Sequence, residues 1–146
     1  MLSKKTKYGL KALVFLAKQD QDSPVPIGRI SASENISQKF LESILLDMRK
    51  YGLLGSKKGK TGGYYLLKPA EEIRMTEVIR ILEGPIAMVP CVSLNFYEPC
   101  SDCKDEENCS IRRLMIQVRD KALEVYRNST LADLLRPQKN GLVPED

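Results

Sequence analysis

Residues 26–67 read PIGRISASENISQKFLESILLDMRKYGLLGSKKGKTGGYYLL, and this stretch decides the fold. Pro is well tolerated in the first turn of a helix, so a short helix is expected from Pro26-Ile27 to about Glu34. Asn35 tolerates the left-handed conformation that ends one. Ser37 then offers its hydroxyl as an N-cap, and the next helix is expected from Gln38 to about Lys50, stopped by Gly52. Its apolar residues Leu41, Ile44, Leu45 and Met48 fall at i, i+3, i+4 and i+7, one buried face of a helix. Two helices joined by a tight turn, the second freshly capped, form a helix-turn-helix.

After Gly52 the period changes. Leu53–Lys57 and Tyr64–Leu67 read as short strands, and Lys58-Gly59-Lys60-Thr61-Gly62-Gly63 as a Lys-loaded turn between them. Glycine lets that turn take positive φ and bring its backbone close to a phosphate backbone. A basic hairpin directly after a recognition helix is the wing of a winged helix. The rival readings are a plain flexible turn and a degenerate phosphate loop. A nucleotide loop needs G-x-x-x-x-G-K-[ST] opening a helix, whereas Gly63 opens a strand.

The winged-helix reading assigns a DNA face. Ser37 and Gln38 stand at the N-terminus of the recognition helix, where base edges are met, with Lys39, Glu42, Ser43 and Lys50 along its outer side. Gln can bond adenine bidentately, Lys can bond guanine, and helix N-terminal amides can hold a phosphate. Lys57, Lys58, Lys60, Thr61, Gly62 and Tyr64 of the wing and Lys7 of the first helix complete the expected contact set. Leu46 also falls on this face, either for a thymine methyl or for another part of the protein.

Upstream, Leu10, Leu13, Val14 and Ala17 put a first helix over residues 4–18, with Lys4, Lys5, Lys7 and Lys11 outside; Asp20–Pro24 is a loop. Downstream, Thr76 is expected to cap a helix running to Glu83, closed by Gly84-Pro85. Residues 86–109 have no clean period. From Ser110 to about Arg127 a long helix carries Ile111, Met115, Val118, Ala122 and Val125 at 4-3-4-3 spacing, a heptad-like seam with Leu114 and Leu123 beside it. Such a seam needs cover, either from its own domain or from the same helix of a second subunit. A twofold dimer suits a protein reading a near-palindromic site. Thr130 is placed to cap one further turn, Leu131–Leu135, and the tail from Pro137 is polar. The fold class is therefore mainly α with a small β-hairpin, organised as a winged helix-turn-helix over 1–85, a cysteine-bearing loop over 86–109, a dimerisation helix and short turn over 110–135, and a flexible tail over 136–146.

Charge sharpens this division. Residues 1–68 carry 13 Lys/Arg against 5 Asp/Glu, and residues 69–146 carry 10 against 14, so a net +8 half is joined to a net −4 half. A basic half is the footprint of a phosphate-binding surface, although a solvated Lys-rich face would leave the same count. The apolar run Ala12–Ala17 has six residues, short of a secretory core, and no segment approaches a membrane span, so a cytoplasmic protein is expected.

All four cysteines lie within 91–109, spaced Cys91-x8-Cys100-x2-Cys103-x5-Cys109. Crowded into one loop, they point to metal binding or redox chemistry rather than to a disulfide framework. Thiolates suit an iron–sulfur cluster and zinc alike, and four would complete either. A metal-free thiol or disulfide loop is the third option, with Cys100–Cys103 as a reversible pair. The acidic stretch Asp102–Glu107 weighs against an activated thiolate there.

The order of parts resembles the Rrf2 family of regulators, which includes the IscR, NsrR and CymR types. The resemblance is carried by Lys7-Tyr8-Gly9-Leu10-Lys11-Ala12-Leu13, Ile36-Ser37…Phe40-Leu41-Glu42, and Leu45…Met48-Arg49-Lys50…Gly52-Leu53. It continues through Gly59-Lys60-Thr61-Gly62-Gly63-Tyr64…Leu66 and Ile79-Arg80…Leu82-Glu83-Gly84-Pro85, spanning roughly residues 1–135. The resemblance implies a homodimeric winged-helix regulator of transcription whose long C-terminal helix crosses to its partner. In the cluster-binding branches it also implies three loop cysteines holding an iron–sulfur cluster, [2Fe–2S] or [4Fe–4S]. This chain departs from that pattern. It has one cysteine more and no histidine, with Arg112 standing where the IscR type has its histidine ligand and Tyr8 in the region where the NsrR type recruits an acid. The fourth ligand is left as Cys100 or Cys103, a nearby acid such as Glu106 or Glu107, or nothing.

An enzyme is not expected: without histidine there is no Ser-His or Cys-His pair, and the Cys100-Ser101-Asp102-Cys103 motif lacks the parallel sheet of a disulfide oxidoreductase. The stronger rival to a DNA-binding regulator is an adaptor that uses the same fold to bind a protein partner.

Overall fold

The computed structural model describes residues 2–137, so most of the expected tail lies outside the described residues. The elements run α1 (Lys4–Ala17), α2 (Ile27–Glu34), α3 (Gln38–Lys50), β1 (Leu54–Lys57), β2 (Gly63–Leu66), α4 (Met75–Leu82) and α5 (Ser110–Asn128). Short 3₁₀ turns at Ala70–Glu72, Pro90–Val92 and Leu131–Leu135 fill the connections. The result is a winged helix with a long helix appended.

Local chemistry sets the helix-turn-helix. Asn35, at φ 53° and ψ 51°, ends α2 in the left-handed conformation. The Ser37 hydroxyl accepts from the Phe40 N–H at 3.3 Å and starts α3. The buried stripe of α3 is Leu41, Ile44, Leu45 and Met48, all at 0% exposure. It meets Leu13 of α1 and Ile30 of α2 in one core. Each such aliphatic side chain is worth about 1.5–3 kcal/mol of burial, enough to hold three short helices together that would not survive alone. Gly9 of α1 stands against Leu82 of α4, where any Cβ would collide with the leucine methyls.

The hairpin is antiparallel, with Leu54 opposite Leu66 and Lys57 opposite Gly63. Its strands are shifted slightly from expectation: β1 begins at Leu54 and β2 at Gly63. A third contact was not legible beforehand. Val25, before α2, exchanges two 2.8 Å backbone hydrogen bonds with Tyr64, so the wing rests against the loop that enters the helix-turn-helix. Gly63 permits this approach, since a Cβ there would drive into the Val25 carbonyl.

Thr76 does not cap α4. The cap and the helix start both lie two residues earlier, with Arg74 in the cap position and no side-chain cap bond. The tertiary structure supplies the cap: the Met75 N–H donates to the Ser129 carbonyl at 2.9 Å, and Arg74 pairs with Thr130 as an isolated bridge. Thr76 is left inside with its hydroxyl unpartnered. Thr130 caps the final turn as expected, in a reciprocal box with Asp133. That turn inserts fully buried Leu131 into the core shared with α1, so the chain returns to its first helix after α5.

Of the nineteen residues of α5 only Leu123 is buried. The seam divides into an outer and an inner half: Ile111, Val118 and Val125 are exposed, together with Leu114, whereas Met115 and Ala122 are half-buried.

Candidate DNA interface and cysteine cavity

The outer face of α3 is open to solvent. Ser37, Gln38, Lys39, Glu42 and Ser43 are all exposed, as are Arg49 and Lys50. Ser43 turns its hydroxyl back onto the Phe40 carbonyl at 2.9 Å, which leaves its oxygen able to accept but commits its proton. Phe40 stands edge-on to Tyr8 of α1, ring centroids 5.6 Å apart, and is itself 39% exposed. Leu46 is 46% exposed, so much of its apolar surface is open to a partner.

The wing tip presents Lys57, Lys58, Lys60 and Thr61, all exposed and, among the described residues, none of the lysines ion-paired. Lys7 is exposed on α1. Two of the expected contacts are less open than the rest. Gly62 is buried, closing the turn over the Lys57 carbonyl with no room for a Cβ. Tyr64 is half-buried, and its backbone pairs with Val25.

Behind the wing, the Glu83 carboxylate ties α4 to α1. It accepts from the Ser3 N–H at 2.9 Å, the Ser3 hydroxyl at 2.8 Å and the buried Thr6 hydroxyl. The Thr6 hydroxyl, helped by Ser3 and opposed by partial burial, holds the Glu83 carboxyl below the usual carboxylate range. This clasp lies one residue before Gly84-Pro85, where the chain leaves for the cysteine loop.

Cys91, Cys100, Cys103 and Cys109 line one cavity of about 100 Å³, closed by Val89, Glu106, Ile111 and Arg112. Cys91 is buried, Cys103 and Cys109 are half-buried, and Cys100 is exposed. Each is positioned by a different device. Cys91 sits in the Pro90–Val92 turn, whose Val92 carbonyl takes a 2.6 Å hydrogen bond from Arg119 of α5. Cys109 is the N-cap of α5, its sulfur accepting from the Arg112 N–H at 3.4 Å. The Cys100 thiol donates to Asp102 at 2.9 Å, and that bond pushes the thiol up. At Cys103 the Asp105 backbone N–H pulls the thiol down, but burial and the neighbouring Cys109 outweigh it and the net shift is upward. Neither middle cysteine is therefore held as a ready thiolate.

Of the candidate acids, Glu106 faces this cavity and Glu107 is not among its lining residues. Glu106 accepts from the Tyr97 hydroxyl at 2.7 Å and lies 3.7 Å from the Arg112 guanidinium. Its second oxygen, Oε1, and Arg112 Nε are the two atoms of that pair, buried and facing each other beyond hydrogen-bond distance. Four soft sulfur donors converging on one cavity fit a thiolate-bound metal group in their chemistry. Among the described residues no three Cys, Asp or Glu side chains already stand at metal-holding distance, so binding such a group requires the loop to tighten.

Comparison with known proteins places the chain among transcription regulators. A family model described as Rrf2, an iron-dependent transcriptional regulator, matches residues 2–137. An Rrf2-like HTH-type transcriptional regulator of Rhodobacter capsulatus is 41% identical, the match covering 92% of each chain. The IscR transcriptional regulator of Yersinia enterocolitica is 30% identical over 94% of this chain and 80% of its own. The solved structure of CymR, described as the global cysteine regulator of B. subtilis, superposes with a TM-score of 0.76 at 34% identity, covering 92% of this chain and 95% of that one.

Proposed function

The chain belongs to the Rrf2 family of transcription regulators, and from that premise we propose a homodimeric protein that binds a near-palindromic DNA operator under the control of an iron–sulfur cluster on its cysteine loop. The observation that supports the gating is the convergence of four cysteines, the first and last eighteen residues apart in sequence, on one cavity at the N-terminus of α5. Cys91, Cys103 and Cys109 are the more enclosed thiols and hold the group, with Cys100 or Glu106 in the fourth position. When bound, a cluster supplies a centre that responds to oxygen, nitric oxide or iron supply.

The chain's own residues do the rest. Ser37, Gln38 and Lys39 enter the major groove from the N-terminus of α3, while Lys57, Lys58 and Lys60 follow the phosphate backbone. Ile111, Leu114, Val118 and Val125 meet their counterparts across a twofold axis, because four exposed apolar side chains on one helix face are otherwise left in water. Cys109 caps α5 and Arg119 of the same helix grips the Cys91 turn, so ordering or releasing the loop acts on α5 and hence on the separation of the two recognition helices. In this scheme residues 1–85 bind DNA, 86–109 sense and 110–135 dimerise. A regulator of this kind works in the cytoplasm, where the DNA is.

The test is an ultraviolet–visible spectrum of the chain purified without oxygen, with iron, sulfide and zinc assays, and operator gel-shifts before and after the group is removed. Brown protein containing iron and sulfide, absent in Cys109→Ala, with operator affinity that differs between the two forms, is the expected result. Stoichiometric zinc would make the loop a zinc clip. Equal operator affinity with and without the group sinks the gating, and the absence of any DNA shift would favour a protein-binding adaptor.

A further inference from the structure

A basin of about 650 Å³ opens where α3 ends, α4 begins and α5 ends, and neither the DNA face nor the cysteine loop uses it. Three arginines line it, one at the head of α4 (Arg74), one on its last turn (Arg80) and one near the end of α5 (Arg127). All three are exposed, and among the described residues none has a carboxylate within ion-pair distance. The acid that lines the basin, Glu77, is already neutralised by Lys68 at 3.1 Å. Arg74 Nη1 donates to the Arg127 carbonyl at 3.3 Å, which fixes these two walls against each other.

The rest of the lining is mixed. Thr76 lines the basin at 9% exposure, with its hydroxyl oxygen turned inside and shielded from it. The remaining wall is the Tyr51 ring, 58% exposed beyond the end of α3, with half-buried Ile81 beside it. An excess of guanidinium charge around a concave surface with an aromatic wall matches a small organic anion, because the planar fork of Arg pairs bidentately with phosphate or carboxylate oxygens.

We infer that this basin is an effector site for a small dianion, a phosphate monoester or a dicarboxylate, that bridges the recognition helix to the dimer helix. It is distinct from the base-reading end of α3. Tyr51 lies thirteen residues beyond Gln38, about 20 Å along the helix axis. A ligand gripped by Arg80 and Arg127 while stacked on Tyr51 ties the ends of α4 and α5 to the end of α3. It therefore acts on operator affinity by a route separate from the cysteines.

The experiment uses the full chain at fixed ionic strength, titrated with inorganic phosphate, succinate and, as control, chloride, followed by amide NMR shifts and calorimetry. Saturable binding of phosphate or succinate, one per chain, with shifts centred on Tyr51, Arg80 and Arg127, is expected. Arg80→Gln with Arg127→Gln should weaken it at least about tenfold, and Arg80→Lys, which keeps the charge but loses the fork, should weaken it as well. Lys58→Gln on the wing should leave it unchanged. Shifts that match chloride, or that survive the arginine substitutions, overturn the inference. So does loss of binding in Lys58→Gln, which would move the anion to the wing. Competitive displacement by duplex DNA would make the basin a phosphate-backbone contact, and loss on dimerisation would show that a second copy fills it; both overturn it too.

Discussion

Replacing Lys58 and Lys60 by Gln removes two exposed, unpaired cations from the wing tip without touching the core, since neither side chain packs on it. If each lysine neutralises one phosphate, the slope of log K against log[salt] falls by about 0.9 per contact, hence by about 1.8 per wing and about 3.6 for a twofold dimer with two wings. The same arithmetic gives a loss of between three and four decades of affinity at roughly 0.1 M salt relative to 1 M, where counterion release vanishes. The measurement is a fluorescence-anisotropy titration of operator duplex at four salt concentrations, for both proteins, with folding checked by circular dichroism. A drop of about 3.6 supports two wings on the backbone. An unchanged slope would refute the wing as a phosphate-binding element. A drop near 1.8 would keep the wing with two phosphate contacts per dimer instead of four, and the single variants Lys58→Gln and Lys60→Gln would then show whether one lysine carries both.

Glu83→Gln should destabilise the chain by about 1 kcal/mol at neutral pH, a screened value for charge-assisted hydrogen bonds at an exposed carboxylate. The folded carboxyl is held below its unfolded range, so its contribution is present above the unfolded pKa and lost as pH falls through the folded one; urea melts of the two proteins should converge in acid. Leu131→Ala should cost about 2–5 kcal/mol in the same melts, because the side chain is fully buried beside α1; a loss under 1 kcal/mol would show that the final turn is peripheral. Val118→Glu, exposed on the outer face of α5, should leave the melt of each chain nearly unchanged while shifting sedimentation toward the monomer, and a dimer unaffected by it would place the interface elsewhere.

How much of this was legible follows the range of the forces involved. The end of α2, the start of α3 and the turn between them are written in Asn35 and Ser37, because such caps act within a few residues and their chemistry is visible in the chain. The same holds for the final turn, where Thr130 and Asp133 satisfy one another. The cap of α4 was misread for the opposite reason: the partner of the Met75 N–H is Ser129, more than fifty residues away, and no local pattern announces it. Gly62 and Gly63 were readable as a turn, but only the fold shows one closing over Lys57 and the other lying under Val25.

By itself, then, the sequence determined the element order, the wing with its lysines, the four cysteines in one loop, and a heptad-like seam on the last helix. Tertiary structure alone decided which half of that seam faces outward, that the four thiols and Glu106 share one cavity, that Glu83 clasps the start of α1, and that three arginines outside any ion pair line one basin. Periodicity and capping act over one or two turns and leave their mark in residue order. Convergence of distant side chains is fixed by how helices pack, and packing depends on shapes summed over the whole core rather than on any local stretch.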